Sequence, residues 1–432
     1  MARIAGHYVP ATGMMLFAAE AAVVAVAARA GWALGSAPHG PMLIVAVACA
    51  VVLQVAFYWA DLYDVRVASD DSRRGRRLLF ALGATCAMAA PITFLAPPGV
   101  RASVPFALAG AAVGAAALRA VAPWEPLRRR LVVVGSGKAL EALLGELTNS
   151  DDLILGIVRN RHANLVARSS ELGARVIVTA FDEGRAGLPA DTLLACRFAG
   201  IEVIEAMTYM QQTRRKVPIE LIRPDALVYD DGFTPSRLGK AGHRLISLVV
   251  GGAIALVFLP VGLLVALAIR LDSRGPIFYK QTRVGRGSKP FTMWKFRTMV
   301  ADAEAGSGAV WAQASDPRVT RIGHLLRRVR LDELPQLLNV LAGDMDLVGP
   351  RPERPEFTAV LAKAIPFYDV RALVRPGLTG WAQIGYPYGA SIEDAKHKLA
   401  YDIYYVKHAS PMLDLIVLFH TAKVVVMGRG AR

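Results

Sequence analysis

Cysteine is scarce in this chain, and its scarcity excludes two classes of protein. Three cysteines, Cys49, Cys86 and Cys196, are scattered through 432 residues, and the first two lie in apolar stretches. Their spacing matches neither a disulfide framework nor a zinc site. We expect each of them to be a small buried hydrophobic residue.

Acidic residues are also scarce relative to basic ones. The chain has 35 Asp and Glu against 50 Lys and Arg, which gives a formal net charge of +15. Nucleic acid is not the expected partner, because the sequence has no zinc spacing, no interleaving of aromatic and basic residues, and no recognition helix in a compact soluble core. Hydrophobic residues make up 54% of the chain, more than a soluble protein usually carries. We therefore expect a membrane protein whose basic residues face anionic cytoplasmic lipid.

Four long apolar segments occupy the N-terminal part of the chain. They cover residues 14–34, 41–59, 78–95 and 104–122. Each is close to the ~20 residues that span a bilayer, so residues 1–126 are predicted to form a four-helix transmembrane domain. Arginines cluster after the second segment, at positions 66, 73, 74, 76 and 77, and after the fourth, at positions 128, 129 and 130. The positive-inside rule then places the N-terminus and everything after residue 126 in the cytoplasm.

Residues 127–235 change to the alternation that is typical of an α/β domain. Buried-strand runs at residues 131–134, 174–178 and 201–204 are separated by helix-like stretches. Gly135 and Gly137 fit the first two positions of a dinucleotide-binding fingerprint, but Leu140 stands where a third glycine would let helix and strand pack closely. We predict a degenerate Rossmann-like domain with a structural or regulatory role, and working dinucleotide binding is the less favoured alternative.

The run from Leu331 to Gln336 is the most informative part of the sequence, because it holds two adjacent carboxylates, Asp332 and Glu333. An arginine-rich stretch precedes it, with basic residues at positions 321, 324, 327, 328 and 330. Pro335 suits the first turn of a helix, which is predicted to bury residues 337, 338 and 341. A helix N-terminus favours anions, so we expect ionised carboxylates beside a phosphate site. Two capping acids in a basic neighbourhood are the alternative.

Basic residues also recur upstream of this pair. Arg283, Lys295 and Arg297 alternate with turn residues, which suits fixed phosphate contacts better than a lipid-facing surface. A competing motif follows the pair, since residues 344–348 spell the Asp-x-Asp-x-Val pattern of aspartate-based phosphatases. That motif normally follows a buried strand, whereas residues 341–343 are expected to end a helix, so the phosphatase interpretation is the less favoured one.

A fifth apolar stretch, residues 245–269, has charged residues at both ends, including Arg244 and Arg270. Pro260 lies near its middle, where it removes a backbone hydrogen bond and clashes with the preceding turn. If the chemistry downstream uses a cytoplasmic donor, the stretch must enter the membrane and return on the same side. We predict a re-entrant helix broken at Pro260, with a kinked true span as the alternative.

From Arg244 to its C-terminus the sequence resembles the polyprenyl-phosphate sugar-1-phosphate transferases, the monotopic phosphoglycosyl transferases that start bacterial glycan assembly. The four spans and the degenerate Rossmann-like domain resemble the long form of that family. The end of the chain, from YPYGAS to GRGAR, resembles the exopolysaccharide branch associated with exosortase systems. Six ordered blocks carry the resemblance: DSRGPIFYKQTRVG, KFRTM, DPRVTRIG, LDELPQLLNVLAGDMDLVGPRP, RPGLTGWAQI and YDIYYV.

The resemblance implies a fold and a set of site residues. The fold is membrane α-helical plus α/β, and it ends in an α-rich catalytic domain, residues 236–432, with a re-entrant membrane helix. Asp332 would be the nucleophile, and Glu333 its neighbour that binds Mg²⁺ with it. Further polar site positions match Arg327, Arg351 and Asp402, and the nucleotide-sugar block matches Arg375 and Gln383.

This sequence departs from the family pattern at three places. Leu259 precedes Pro260 where relatives often have serine, so a serine-assisted bend is not expected. Asp346 stands where serine is commoner, and Tyr386 with Pro387 replaces a more usual Asn-Gly-Arg stretch. We expect these changes to affect the sugar or nucleotide preference, and the sequence does not indicate which sugar is used.

Chemistry and resemblance predict the same reaction. An undecaprenyl phosphate acceptor is mostly dianionic at pH 7 and needs little help from a general base. A carboxylate beside it is better explained as a covalent nucleophile that takes a sugar 1-phosphate from a UDP-sugar and releases UMP. The transfer would begin an exopolysaccharide repeat unit.

The expected setting is the bacterial inner (cytoplasmic) membrane, with a multi-pass chain and the catalytic domain on the cytoplasmic face. Membrane lipid, a second copy of the chain and downstream glycosyltransferases are the further expected partners. Two other classes of protein are alternatives. One is a non-catalytic membrane scaffold for polysaccharide assembly, and the other is a lipid phosphatase or a direct-transfer glycosyltransferase.

Overall fold

The computed structural model describes most of the chain after residue 128 and parts of the chain before it. The longer described ranges are 39–62, 71–95, 129–148, 152–159, 164–182, 189–222, 224–229, 231–233, 236–300, 316–386 and 391–426. Short described pieces are 2–4, 7–9, 18–19, 22, 26, 101, 109–110, 112–114, 117, 303 and 389. Two compact units form, Met1–Ile4 with Tyr8–Glu205, and Ala5–His7 with Ala206–Arg432. The division into domains 1–126, 127–235 and 236–432 stays a prediction.

The N-terminal part has two short strands and two long helices among its described residues. They are β1 (Ala2–Ile4), β2 (His7–Val9), α1 (His39–Trp59) and α2 (Asp71–Leu95). The two helices lie where the second and third apolar segments were predicted, and they pack through a buried cluster that includes Leu53, Phe57 and Ala81. Most of the first and fourth segments lies outside the described residues, so the four-span arrangement stays a prediction.

A parallel α/β layer follows. Its elements are β3 (Arg130–Ser136), α3 (Gly137–Leu147), β4 (Leu153–Val158), α4 (Leu165–Glu171), β5 (Val176–Phe181), α5 (Ala190–Phe198) and β6 (Glu202–Glu205). The sheet order is β4-β3-β5-β6, and all three strand pairs are parallel. Strands of parallel sheets are buried on both faces, and residues 131–134 of β3 are at most 1% exposed. The predicted α/β character of this stretch is confirmed.

The second unit is rich in helices. They are α6 (Ala206–Thr213), α7 (Pro224–Tyr229), α8 (Arg237–Asp272), α9 (Arg321–Arg328), α10 (Gln336–Ala342), α11 (Pro355–Ala364), α12 (Trp381–Gly385), α13 (Ile392–Lys407) and α14 (Pro411–Val426). Single 3₁₀ turns occupy Ile219–Leu221, Arg286–Ser288, Leu331–Glu333 and Tyr368–Leu373. The strands are β7 (Phe278–Val284) and β8 (Pro290–Phe296), which form an antiparallel hairpin, and β9 (Asp346–Val348) and β10 (Gly377–Thr379), which are parallel.

The long helix α8 is the one helix among the described residues that is long and apolar enough to cross a membrane by length and composition. Only 11% of its most apolar window is buried. Pro260 lies inside α8, which continues on both sides of it, so the predicted pair of helices separated by a break is not what the structure has. A proline inside a helix removes one hydrogen bond and can kink the helix without ending it. Re-entry itself stays a prediction.

The helices on either side of the acidic pair bury fewer leucines than expected. In α10 the buried apolar residues are Leu337 and Val340, whereas Leu338 is 54% exposed and Leu341 is 39% exposed. The predicted burial of Leu338 and Leu341 is therefore wrong, because the inner face of this short helix is set by Val340, which packs with Met293 of β8.

Candidate active site

The acidic pair lies in a single 3₁₀ turn, Leu331–Glu333, between α9 and α10. The turn begins after Arg330, whose left-handed backbone (φ 56°) is uncommon for a residue with a side chain. Leu331 and Leu334 pack against an apolar cluster that contains Phe296 and Leu326. The leucines thus anchor the turn to the core, and the two carboxylates between them are held at the domain's polar face.

Glu333 is held by two cations. Its Oε1 lies 2.5 Å from Nη2 of Arg351 and 3.8 Å from Nζ of Lys295. Burial alone would raise the pKa of Glu333, but Arg351 and Lys295 outweigh it and hold this pKa at about 2. Burial lowers the pKa of Lys295 to about 8. At neutral pH the glutamate is therefore an ionised, fixed carboxylate.

Asp332 has a different environment although it is the next residue. Burial raises its pKa, the negative charge of Glu333 raises it further, and Lys295 and Arg327 oppose both effects. The structure gives its side chain no hydrogen bond or ion pair with any residue that it describes. The two neighbouring carboxylates thus differ, because Glu333 is paired with two cations and Asp332 is not.

Arg351 is oriented from two sides. Its Nη1 donates to Oε1 of Gln383 over 3.1 Å, and its backbone carbonyl accepts from Nη2 of Arg371 over 2.8 Å. Arg371 also pairs with Asp402 at 3.0 Å and donates to the Tyr368 hydroxyl over 2.7 Å. Burial raises the pKa of Asp402 to about 6 against the opposing charge of Arg371, so the carboxylate is ionised at neutral pH. Asp402 therefore reaches the site through Arg371.

The loop that carries Arg351 starts where the ends of the parallel strands β9 and β10 lie very close together. A β-carbon on Gly377 would lie 2.0 Å from the backbone nitrogen of Gly349, and one on Gly380 would lie 2.1 Å from the Gly349 carbonyl oxygen. Backbone bonds join the same strands, from Gly349 N–H to Thr379 O and from Gly377 N–H to Pro350 O, both at 2.9 Å. This close approach requires glycine at positions 377 and 380, and it fixes the start of the loop.

The other predicted site residues divide into two groups. Arg327 donates to the Thr298 hydroxyl over 3.0 Å and acts electrostatically on Asp332. Arg283 donates to the carbonyl of Pro352 over 3.1 Å, so it supports the Arg351 loop. These two residues lie around the acidic pair or its loop.

Arg297 and Arg375 are placed elsewhere. Arg297 is 6% exposed, and its guanidinium donates to the backbone carbonyls of Ser273 and Arg274 at 2.7 and 2.9 Å, just beyond the end of α8. These contacts make it a structural residue, which corrects its assignment to phosphate. Arg375 lies 3.5 Å from Asp346 on β9. It is thus joined to the base of the loop and not to the acidic pair.

Sequence reasoning missed Arg371. It lies in a short 3₁₀ turn without a motif, and its partners are Tyr368 nearby and Asp402 far along the chain. Only the folded chain shows that it bonds the backbone of Arg351.

An acidic pair among arginines and lysine, in a unit that also carries a long apolar helix, defines a class of protein that handles phosphorylated substrates beside a lipid surface. Residues 238–428 match the family described as bacterial sugar transferase. The chain belongs to this family.

Curated relatives agree with the family. The chain is 38% identical over 260 residues to the UDP-N-acetylgalactosamine-undecaprenyl-phosphate N-acetylgalactosaminephosphotransferase of Aeromonas hydrophila, covering 60% of each chain. It is 37% identical over 246 residues to the undecaprenyl-phosphate glucose phosphotransferase of Komagataeibacter xylinus, covering 56% of this chain and 46% of that one. The exopolysaccharide production protein PSS of Rhizobium leguminosarum bv. phaseoli is 44% identical over 171 residues, which are 38% of this chain and 86% of that one. The first two matches thus span 60% or less of each relative's length.

Proposed function

We propose that this protein transfers a sugar 1-phosphate from a UDP-sugar to undecaprenyl phosphate through a covalent intermediate on Asp332, and that it releases UMP. The observation that carries the proposal is the difference between the two neighbouring carboxylates. Glu333 is fixed by Arg351 and Lys295, whereas Asp332 beside it has no such partner among the described residues. An oriented carboxylate next to an unengaged one suits nucleophilic catalysis.

The reaction balances in two displacements. A carboxylate oxygen of Asp332 attacks the phosphorus that bears the sugar, and the bond from that phosphorus to the bridging oxygen breaks, so that UMP leaves with the electron pair. An oxygen of undecaprenyl phosphate then attacks the same phosphorus, and the acyl-phosphate bond breaks to regenerate Asp332. The acceptor phosphate is mostly dianionic at neutral pH, so neither step requires a general base.

The cations of the site suit the charge that moves in these steps. Arg327 and Lys295 both act electrostatically on Asp332, and they would attract the diphosphate to it. Arg351 is held by Gln383 and Glu333, so its orientation is set before substrate arrives. Fixed cations of this kind stabilise a leaving phosphate in the transition state without reorganising.

Mg²⁺ is part of the proposal. Among the residues that the structure describes, no group of three or more His, Cys, Asp or Glu could hold a metal ion. Mg²⁺ at phosphate-transfer sites is usually bound by one or two carboxylates together with substrate oxygens, so the donor chemistry of Asp332 and Glu333 fits it. When bound, the ion would screen the negative charge between the carboxylate and the diphosphate.

Contacts of α8 support re-entry into the membrane from the cytoplasmic face. A β-carbon on Gly251 would lie 3.4 Å from Val340 Cγ1, and one on Gly262 would lie 4.0 Å from Phe296 Cζ. Both ends of the intervening segment therefore pack on the same catalytic unit. Residues 252–261 span ~15 Å of helix, about half of the ~30 Å hydrocarbon core. A segment this short does not reach across the hydrocarbon core, and its Leu256 and Val257 are 73% and 70% exposed. Re-entry would require α8, which is continuous, to bend near Pro260.

The cellular role is proposed on the same basis. We place the protein in the bacterial inner membrane, as a multi-pass chain with its catalytic unit on the cytoplasmic side, where nucleotide sugars are found. A relative named for exopolysaccharide production supports a role in starting an exopolysaccharide repeat unit. Downstream glycosyltransferases would then extend the lipid-linked sugar, and a second copy of the chain is a further expected partner.

Intact-mass measurement tests the mechanism. Purified full-length protein is incubated with Mg²⁺ and, separately, UDP-glucose, UDP-galactose, UDP-N-acetylglucosamine and UDP-N-acetylgalactosamine, without lipid acceptor. We expect one donor to add the mass of its sugar phosphate to the wild type but not to Asp332→Asn. The matched control is Asp344→Asn, which changes the first aspartate of the phosphatase-like motif and should keep the adduct.

Each other outcome contradicts the proposal in a definite way. An adduct that is lost in Asp344→Asn and kept in Asp332→Asn would favour the phosphatase-like motif. Release of UDP instead of UMP in the presence of undecaprenyl phosphate would indicate direct glycosyl transfer. If no donor gives an adduct or UMP even with undecaprenyl phosphate, the protein is better explained as a membrane scaffold.

A further inference from the structure

The first third of α8 has polar residues on the side that faces the catalytic unit, although the middle of the helix is apolar. His243, Ser247 and Gly251 recur every four residues and are all buried. Arg244 follows His243 and lies on the adjacent side of the helix. Residues four apart share one face of a helix, so this face is a continuous strip. Each of its polar side chains contacts a part of the chain that leads to the acidic pair or to Arg351.

Arg244 closes the C-terminal end of α10. Its Nη1 and Nη2 donate to the carbonyls of Val340 and Leu341 at 2.6 and 2.9 Å. The last four carbonyls of a helix have no partner within the helix, and a cation there also opposes the helix dipole. Because α10 begins at Gln336, three residues after Glu333, a residue on α8 helps to set the position of the short helix that follows the acidic pair.

Ser247 holds the strand that leads to Arg351. It is 1% exposed, and its hydroxyl oxygen accepts from the backbone N–H of Leu347 over 3.0 Å. Leu347 lies in the middle of β9, and the chain runs from β9 through Gly349 to Arg351 within four residues. A buried N–H without a partner costs free energy of folding, so this bond fixes the position of β9 along the axis of α8.

His243 adds a third connection to the same strand. Its Nδ1 contacts the carboxylate of Asp414 on α14, and Oδ1 of Asp414 lies 2.8 Å from the Tyr405 hydroxyl. That hydroxyl is also 3.1 Å from the carbonyl oxygen of Val348, the last residue of β9. The strand is therefore tied to α8 directly through Ser247 and indirectly through this buried network.

We propose that Arg244 and Ser247 are positioning residues for the reaction, and that α8 is the frame on which the Glu333 and Arg351 pair is set. Arg244 fixes the Glu333 side through α10, and Ser247 fixes the Arg351 side through β9. The distance between the two partners is thus determined on one helix, whose middle part is apolar. This inference depends on the proposed function for its kinetic part and on the geometry alone for its structural part.

The kinetic test uses the rate of adduct formation per active site, with UDP-glucose and UDP-N-acetylgalactosamine as separate donors. We expect Arg244→Gln to slow this rate by about 10- to 100-fold, the size of effect that a small misplacement of reacting groups produces, while the final amount of adduct and the KM for the donor stay within about threefold. Arg244→Lys keeps the charge but lacks the fixed planar donors of the guanidinium, so it should recover part of the rate. Ser247→Ala should slow the reaction less than Arg244→Gln does.

Arg270→Gln is the matched control. Arg270 donates to the carbonyl of Gly275 over 3.1 Å at the other end of the same helix, so the change removes the same kind of bond away from the site. We expect it to leave the rate within about twofold of wild type. A structural role alone would lower the amount of active protein in Arg244→Gln without changing the rate per active site, and that result would overturn the proposal.

Amide hydrogen exchange separates this inference from the proposed function. We expect faster exchange of residues 336–343 in Arg244→Gln and of the Leu347 amide in Ser247→Ala, with Arg270→Gln unchanged in both places. If the wild type forms no adduct with any of the four donors, and no UMP when undecaprenyl phosphate is added, the proposed function fails, and the exchange result still decides whether the two residues hold α10 and β9. Unchanged exchange in both variants would overturn the positioning role.

Discussion

The α/β layer and the catalytic unit each place a carboxylate at the start of a helix, and the two regions use it in opposite ways. In the α/β layer Asp182 accepts from the backbone N–H groups of Ala139 and Lys138 at 2.7 and 3.0 Å, at the N-terminus of α3. These bonds lower the pKa of Asp182. In the catalytic unit Glu333 is neutralised by side chains instead, and Asp332 keeps its carboxylate for other partners.

The comparison shows why a helix N-terminus is not enough to make an anion site. The position where a bound phosphate would lie in a dinucleotide-binding fold is taken by the chain's own Asp182. A β-carbon on Gly137 would lie 2.1 Å from its Oδ2, so the second glycine of the fingerprint now makes room for a side chain. The structural or regulatory role of the α/β layer stays a prediction, and this geometry favours it over dinucleotide binding.

The largest expected effect comes from making the same change in both regions. Asp332→Asn should lower UMP release by about 10⁴-fold or more, because loss of a covalent nucleophile removes the reaction path. Asp182→Asn should leave UMP release within about twofold of wild type. A coupled assay for UMP measures both. Equal losses in the two variants would remove the functional distinction between the regions.

Asp402→Asn should have the next largest effect, this time on stability. The change leaves Arg371 buried with a weaker partner, and breaking a buried ion pair on one side typically costs about 3–5 kcal/mol. Thermal unfolding of the detergent-solubilised protein would show the loss as a lower Tm. Asp369→Asn is the control. It alters an exposed carboxylate in the 3₁₀ segment that holds Arg371, Tyr368–Leu373, and it should leave Tm unchanged.

Arg351→Lys tests how Glu333 depends on its side-chain partner, in contrast to Asp182, which is held by backbone N–H groups. A lysine is a point charge and cannot bridge Glu333 and Gln383 as the guanidinium does, so we expect kcat to fall by about 10²-fold. Arg354→Lys makes the same replacement three residues away and should change kcat by less than about twofold. Steady-state kinetics with the accepted UDP-sugar would check both, and a full rate in Arg351→Lys would show that charge alone suffices.

The smallest effect concerns the pH dependence of the α/β layer. Because the pKa of Asp182 is lowered from 3.8 in the folded state, its bonds to α3 contribute stability above that value and lose it as pH falls through the lower folded pKa. Amide exchange of residues 138 and 139 should therefore be protected near neutral pH and lose protection in strong acid. In Asp182→Asn the same amides should exchange faster at neutral pH, and no difference from wild type there would contradict the assignment.

Local patterns predicted the parts of the fold that depend on local physics. The apolar runs at residues 131–134, 174–178 and 201–204 became β3, β5 and β6, since a buried strand needs a continuous apolar run. Strand β4 was not predicted although it is apolar; it lies at the edge of the sheet, and its Leu153 and Ile157 are 41% and 42% exposed.

The site was predicted less completely, for a physical reason. The motif identified Asp332 and Glu333, but their unequal environments arise from Lys295 and Arg351, which are distant along the chain. Arg297 was assigned to phosphate, with Arg283 and Lys295, because basic residues there alternate with turn residues. Its guanidinium instead bonds carbonyls at the end of α8, and no local pattern distinguishes the two cases.

The close approach of the ends of β9 and β10 also limits which substitutions this sequence can accept. Gly349, Gly377 and Gly380 lie so close to one another that any side chain at these positions would overlap backbone atoms, and no rotamer change relieves such an overlap. Every missense mutation at these three codons therefore reshapes the loop that carries Arg351. A substitution at any of the three positions is therefore expected to disrupt the site. The presence of all three glycines in a newly sequenced relative would indicate that its loop can still form.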